Sequence, residues 1–150
     1  MAHLGGTASA EIDAPLEEVW ALVEDVLIAP EWQGGLVSIS ALERDTEGRP
    51  TLVESVSDIK VRHVKTQVRF SYEPATRLSW VQEKGDLKSV EGSWVLEDLG
   101  EGRTRATYTL DGDPGRVLGM IIRGPVEAAA RAMLVNARPG ELKARVEADR

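Results

Sequence analysis

Asp113-Pro-Gly-Arg-Val-Leu-Gly-Met-Ile-Ile-Arg-Gly-Pro125-Val-Glu-Ala-Ala-Ala-Arg-Ala-Met-Leu-Val-Asn-Ala137 is the stretch on which the fold turns. Val117, Leu118, Ile121, Ile122, Val126, Ala129, Ala130, Met133, Leu134 and Ala137 recur three or four residues apart, the spacing that lines one face of a helix. Arg116, Arg123, Glu127, Arg131 and Arg138 fall largely off that stripe, so one face is expected to lie on something apolar and the other in water. Pro125 can open a new helical start after a looser segment at 117–124, and Pro139-Gly140 is expected to kink or break the helix. The best-ordered part is expected over 125–137, with 141–148 as a shorter continuation.

What this helix needs as a partner is supplied upstream. Residues 7–12 alternate small or apolar with polar side chains, the period of a half-buried strand. Asp13 and Pro15 then begin a helix in which Leu16, Val19, Trp20, Val23 and Val26 repeat at helical spacing, with Glu17 and Glu18 near its positive end. Pro30 is expected to end it, and Glu31 to Gly35 to form a short helical turn running into a loop. Extended runs follow at 36–43, 51–59, 62–72, 78–83, 89–96 and 104–110, separated by turn signals such as Glu47-Gly48 and Lys84-Gly85-Asp86. Short connections between consecutive strands make an antiparallel meander, so the fold class is α+β with a curved sheet of about seven strands. Alternation places Val64, Val68, Phe70 and Tyr72, Leu78 and Trp80, Val90, Trp94 and Leu96, and Ala106, Tyr108 and Leu110 on one concave face. In run 51–59 either Leu52, Glu54 and Val56 or Val53, Ser55, Ser57 and Ile59 could face inward.

The length of 150 residues suits one domain spanning the chain, and 42% hydrophobic with 29% charged residues is ordinary for a soluble globular protein. No signal-like start and no run of about 20 apolar residues is present, so a cytoplasmic protein without integral membrane association is expected. A formal charge of -7 disfavours nucleic acid, although Lys60, Arg62, His63, Lys65 and Arg69 cluster. That cluster reads as the wet outer face of the sheet. Without cysteine there is no disulfide, thiolate nucleophile or cysteine-ligated zinc. The two histidines, His3 and His63, lie in the terminal segment and on the outer face, which leaves neither a Ser/His/Asp triad nor a histidine-rich metal site. Asp111-Gly112-Asp113 starts like a calcium loop but lacks the later glutamate, and no cofactor is expected.

Ile12-Asp13-Ala14-Pro15-Leu16-Glu17-Glu18-Val19-Trp20, then Asp25 followed by Pro30-Glu31-Trp32, and Gly92 to Leu96 before an acidic glycine-rich turn resemble the START-like (SRPBCC) superfamily over nearly the whole chain. The superfamily includes the polyketide cyclase/dehydrase and coenzyme Q-binding families. The resemblance implies a helix-grip fold, two short helices after the first strand and a sheet wrapped around a long C-terminal helix. Ala29 stands where many members carry an aromatic residue before the proline, a departure that bears on the shape of a pocket. The implied activity is enclosure of a lipid, quinone or polyketide-like molecule between sheet and helix.

Trp32, Phe70, Trp80, Trp94, Tyr108, Ile122, Val126 and Met133 are the expected ligand-binding residues, because large rings beneath a helix rich in small residues leave an irregular apolar space. Three functions stay open. One is a carrier of a hydrophobic small molecule, as monomer or homodimer. A second is a cyclase or dehydratase in which an inward Glu54 or Asp58, its pKa raised by desolvation, moves a proton. A third is a protein-interaction module with an exposed apolar patch and no enclosed cavity. Thr66 and Gln82 are further polar residues that could point inward.

Overall fold

A computed structural model describes residues 4–148. His3 therefore lies outside the described residues. The element order is β1 (Leu4–Ile12), α1 (Leu16–Glu24), a 3-10 helix (Val26–Glu31), β2 (Leu36–Arg44), β3 (Pro50–Asp58), β4 (His63–Glu73), β5 (Arg77–Gly85), β6 (Ser89–Gly100), β7 (Arg103–Asp113), α2 (Gly115–Ile121), α3 (Pro125–Arg131), a π-helical turn (Ala132–Asn136) and α4 (Arg138–Ala148). Seven antiparallel strands form one sheet in the order β1-β7-β6-β5-β4-β3-β2. Only β1 leaves the meander, crossing to pair with the last strand through registers such as Ala8 with Tyr108 and Ile12 with Thr104.

Register shifts interrupt the β2–β3 pairing three times, once between Leu36 and Ser38 and twice between Ala41 and Arg44, and the β4–β5 pairing at Gln67 to Val68. Bulges of this kind bend a strand and strengthen its twist, which curls the sheet and gives it a concave face. The buried side chains of that face in β4 to β7, Val64, Val68, Leu78, Trp94, Leu96, Ala106 and Tyr108, are among those that alternation selects, and Val53 of β3 is buried with them. The open question in β3 is settled by its pairing: Val53 opposes Val68, Ser55 opposes Thr66 and Ser57 opposes Val64. Ser55 and Thr66 hydroxyls lie 3.0 Å apart, so the Val53, Ser55, Ser57 set faces inward with Thr66.

Three local expectations need correction. Pro15 stands before α1 in extended conformation, not inside its first turn. Helix α1 ends at Glu24, and Pro30 lies within the following 3-10 helix, whose loose hydrogen bonding tolerates a missing N–H. Helix α4 runs across Pro139-Gly140 and is not broken there. The irregularity comes earlier, where the Ala137 N–H donates to the Ala132 carbonyl across a π turn. Proline at 139 cannot donate to the carbonyl four residues back; widening the preceding turn relieves its ring and lets a new helix start beneath it.

The apolar stripe also changes face at Gly124-Pro125. Leu118, Ile122, Ala130, Leu134 and Val135 are buried, but Val117 is 74% and Ile121 53% exposed. Gly124, with φ of 55°, turns the chain between α2 and α3, so a single helical period cannot run through both. Two buried clusters result: one holds α1, the sheet centre, Val135, Leu142 and Val146, and the other joins Leu4, Ile59 and Val64 to Leu118, Ile122, Ala130 and Leu134. Among the described residues no helix is long and apolar enough to cross a membrane.

Candidate functional site

Between the concave face and the helices lies a cavity of about 150 Å³. The sheet contributes Val64, Thr66, Val68 and Phe70 from β4, Leu78 and Trp80 from β5, Trp94 from β6 and Tyr108 from β7. Ser55 and Ser57 of β3 add hydroxyls, and Val26, Ala29 and Trp32 close one side from the 3-10 helix and the turn after it. Leu134 and Arg138 are its contribution from the C-terminal helices.

The aromatic rings form a continuous row. Trp32 lies 6.3 Å from Trp94, Trp94 4.7 Å from Tyr108, Tyr108 5.7 Å from Trp80, and Trp80 5.9 Å from Phe70, all tilted. Tilted pairs at this spacing are favourable beyond the area they bury. The row follows from strand pairing, since Phe70 opposes Trp80 and Trp94 opposes Tyr108. Trp80 opposes Gly92 instead of another side chain. A Cβ at Gly92 would come within 2.5 Å of the Trp80 ring, so the glycine is what lets the indole lie on the sheet as a cavity wall.

Polar groups collect where α4 meets the loop before β2. Arg138 is 3% exposed; its Nη1 donates to the Gly34 carbonyl at 2.9 Å and to Glu141 Oε1 at 2.8 Å. Glu141 Oε2 accepts from the Gly34 N–H at 2.8 Å, which closes the bracket. The guanidinium carbon stands 5.7 Å from the Tyr108 ring centre. Burial pushes the Tyr108 phenol up from its ordinary value, opposed by the charge of Arg138 and a hydrogen bond to it. Two donors here have no hydrogen-bond partner, Arg138 Nε and Trp32 Nε1.

Of the eight expected ligand-binding residues, Trp32, Phe70, Trp80, Trp94 and Tyr108 come together around the cavity. Ile122, Val126 and Met133 do not line it. Ile122 is fully buried in the second cluster, and Val126 is half-buried in the first turn of α3. Met133 packs beside Gly35, where a Cβ would lie 3.0 Å from its Cε. The reason is the break at Gly124-Pro125 and the π turn, which rotate the helix so that Leu134 and Arg138 take the inward positions. Sequence reasoning set Arg138 off the stripe. The missed signal is the four-residue spacing Leu134, Arg138, Leu142, Val146, in which the arginine occupies a buried position.

Glu54 and Asp58 do not reach the cavity. Glu54 Oε2 accepts from Gln67 Nε2 on the opposite face, and Asp58 Oδ1 accepts from the Lys60 N–H in the β3–β4 turn. Asp25 is the one carboxylate of the lining, and it is exposed at the rim. Gln82 is not among the lining residues; its Nε2 donates to the Leu87 carbonyl. On the outer face the basic cluster is interleaved with acids: Arg69 pairs with Glu83 and Glu43, and Arg62 stands 3.9 Å from Asp86. Hydrogen bonding from Arg69 holds the Glu83 carboxyl below its ordinary value. A larger depression of about 520 Å³ between α2 and α3, lined by Arg116, Arg123 and Glu127 among others, is an open surface groove.

The family model described as polyketide cyclase / dehydrase and lipid transport matches residues 12–137. Among curated protein sequences none matches the chain at a significant level. Solved structures similar to it include a START superfamily protein from Mycobacterium smegmatis, with 19% identity and a TM-score of 0.83 over 99% of this chain and 100% of that one. A protein from Thermus thermophilus has 21% identity and a TM-score of 0.80, covering 97% and 98% of the two chains. The Zhui aromatase/cyclase from a Streptomyces species has 20% identity and a TM-score of 0.72, covering 97% and 94%. At these identities the likeness is one of fold.

Proposed function

The chain belongs to the polyketide cyclase / dehydrase and lipid transport family, and on that premise we propose that it binds a hydrophobic small molecule between its sheet and its C-terminal helices. The observation that carries this reading is the cavity itself: about 150 Å³ of space that the protein's own rings and aliphatic side chains leave unfilled. Protein interiors are otherwise packed to crystal-like density, and a concave, mostly apolar space of this kind is the form that small-molecule sites take. An engineered apolar cavity of about this volume takes up benzene. The occupant is accordingly one or two rings or a short acyl chain, with any longer part emerging past Asp25 at the rim.

A cyclase that uses an inward carboxylate loses support, because Glu54 and Asp58 are engaged outside the cavity. The binding reading is tested by purifying the protein after incubation with lipid, quinone and aromatic polyketide extracts, then identifying what it retains by mass spectrometry. Retention of one apolar class at near-stoichiometric amounts is expected, and its loss when Trp94 is replaced by a charged residue. Failure to retain any of the three overturns the reading.

A further inference from the structure

The aromatic row crosses β7, β6, β5 and β4, and on the next strand, β3, rings give way to serine. Ser55 and Ser57 stand two residues apart on the inner face, about 7 Å along the strand. Their neighbours across the sheet show where they point. Ser57 lies between Leu36 and Val64, and Ser55 between Ile39 and Thr66, and each of these residues lines the cavity. Both serines are half-buried, so the surface they keep on this face opens into the cavity. A hydroxyl donates one proton and accepts at two lone pairs. The Ser55 and Thr66 oxygens, 3.0 Å apart, share one hydrogen bond, which uses only one of their two protons. The Ser57 hydroxyl makes no hydrogen bond among the described residues, and it is not one of the unpartnered polar groups that packing closes off.

Strand positions that face an apolar interior ordinarily carry β-branched or aromatic residues, which pack well on a pleated surface. The same alternation does so on either side of the serines, with Val53 and Ile59 both buried. Hydrocarbon laid against Ser55 and Ser57 would strip water from their hydroxyls and return no bond, which costs as much as an unmade hydrogen bond. An oxygen at that edge of the guest keeps them bonded. We infer that Ser55, Ser57 and Thr66 form a hydrogen-bonding strip that selects among apolar ligands. The ligand is a ring system that lies on the aromatic row and turns a ketone or hydroxyl oxygen toward β3. Tilted contacts with the row hold the body of the molecule, and the strip fixes which edge faces which wall. The inference rests on the binding reading above and specifies which apolar molecules satisfy it.

The test compares naphthalene, 2-acetylnaphthalene and 2-naphthol, which share one hydrocarbon body and differ in the oxygen they present. Binding is followed by calorimetry and by quenching of tryptophan fluorescence, in the unaltered protein and in the double variant Ser55→Ala/Ser57→Ala. Alanine removes each hydroxyl and leaves the rings in place. The double variant is expected to weaken at least one oxygen-bearing ligand by about five- to tenfold, the effect of one or two neutral hydrogen bonds, and to leave naphthalene within about twofold. Ser55→Ala and Ser57→Ala made singly show which hydroxyl the oxygen uses, and they decide the matter if the double variant does not fold. Unchanged affinity for both oxygen-bearing ligands, equal weakening of all three, or uptake of naphthalene alone overturns the strip while leaving the binding reading intact. Uptake of none of them by the unaltered protein overturns both.

Discussion

Gly92 has no side chain, yet it sets the shape of the cavity wall, since the indole of Trp80 occupies the space where its Cβ would be. Gly92→Ala should push that ring toward the cavity and cost about 1–3 kcal/mol, as overpacking does. Denaturant unfolding measures the cost, and the same variant should bind any aromatic ligand less tightly. Tyr72 gives a pH prediction. Its hydroxyl donates to the Pro50 carbonyl, and burial raises its pKa from 10.0 to about 12. Across that window the folded protein keeps a proton that the unfolded chain has lost, so stability is full below 10.0 and falls as pH rises through the raised value. Unfolding curves should show this decline, and Tyr72→Phe should make it shallower. Neither effect was legible beforehand: alternation places Tyr72 and Gly92 on the inner face, but only strand register brings Gly92 opposite Trp80 and Tyr72 beside Pro50.

Among elements, the strands were the easiest to read and the C-terminal helices the hardest. A strand's period of two survives an error of a residue at either end, so the inner faces of β4 to β7 came out as alternation predicts. A helical stripe depends on an unbroken rotation of about 100° per residue, and Gly124, Pro125 and the π turn at Ala132–Asn136 each interrupt it. This is why Leu134 and Arg138 line the cavity where Val126 and Met133 were expected. Helix α2 tests the reassignment. Leu118→Ala removes a side chain only 7% exposed and should cost about 2–5 kcal/mol, whereas Val117→Ser, at a position 74% exposed, should stay within about 0.5 kcal/mol. Thermal unfolding of the two variants distinguishes them, and comparable losses would mean that α2 is rotated from the face described.

On the scale of the whole molecule, the sheet closes onto its helices without filling the space between them, and stability should respond to whatever fills it. A ligand at about a hundred times its Kd adds about 2.7 kcal/mol, which for a chain of this size raises the unfolding midpoint by about 5–10 °C. Calorimetry in the presence of a retained ligand checks this, and a single transition would also bear on the expectation of one domain. The exposed Val117, Met120 and Ile121 show that an apolar surface and an internal cavity coexist, where the interaction-module reading expected the surface without the cavity. The sequence by itself determined the α+β class, the meander and the inward aromatic set, because these depend on local periodicity and short turns. Tertiary structure alone decided the β3 register, the outward placement of Glu54 and Asp58, and the inward placement of Arg138. Register and helix rotation depend on bulges, on the π turn and on packing between residues as far apart as Gly34 and Arg138, and of these only the buried position of Arg138 leaves a local trace, its four-residue spacing with Leu134, Leu142 and Val146.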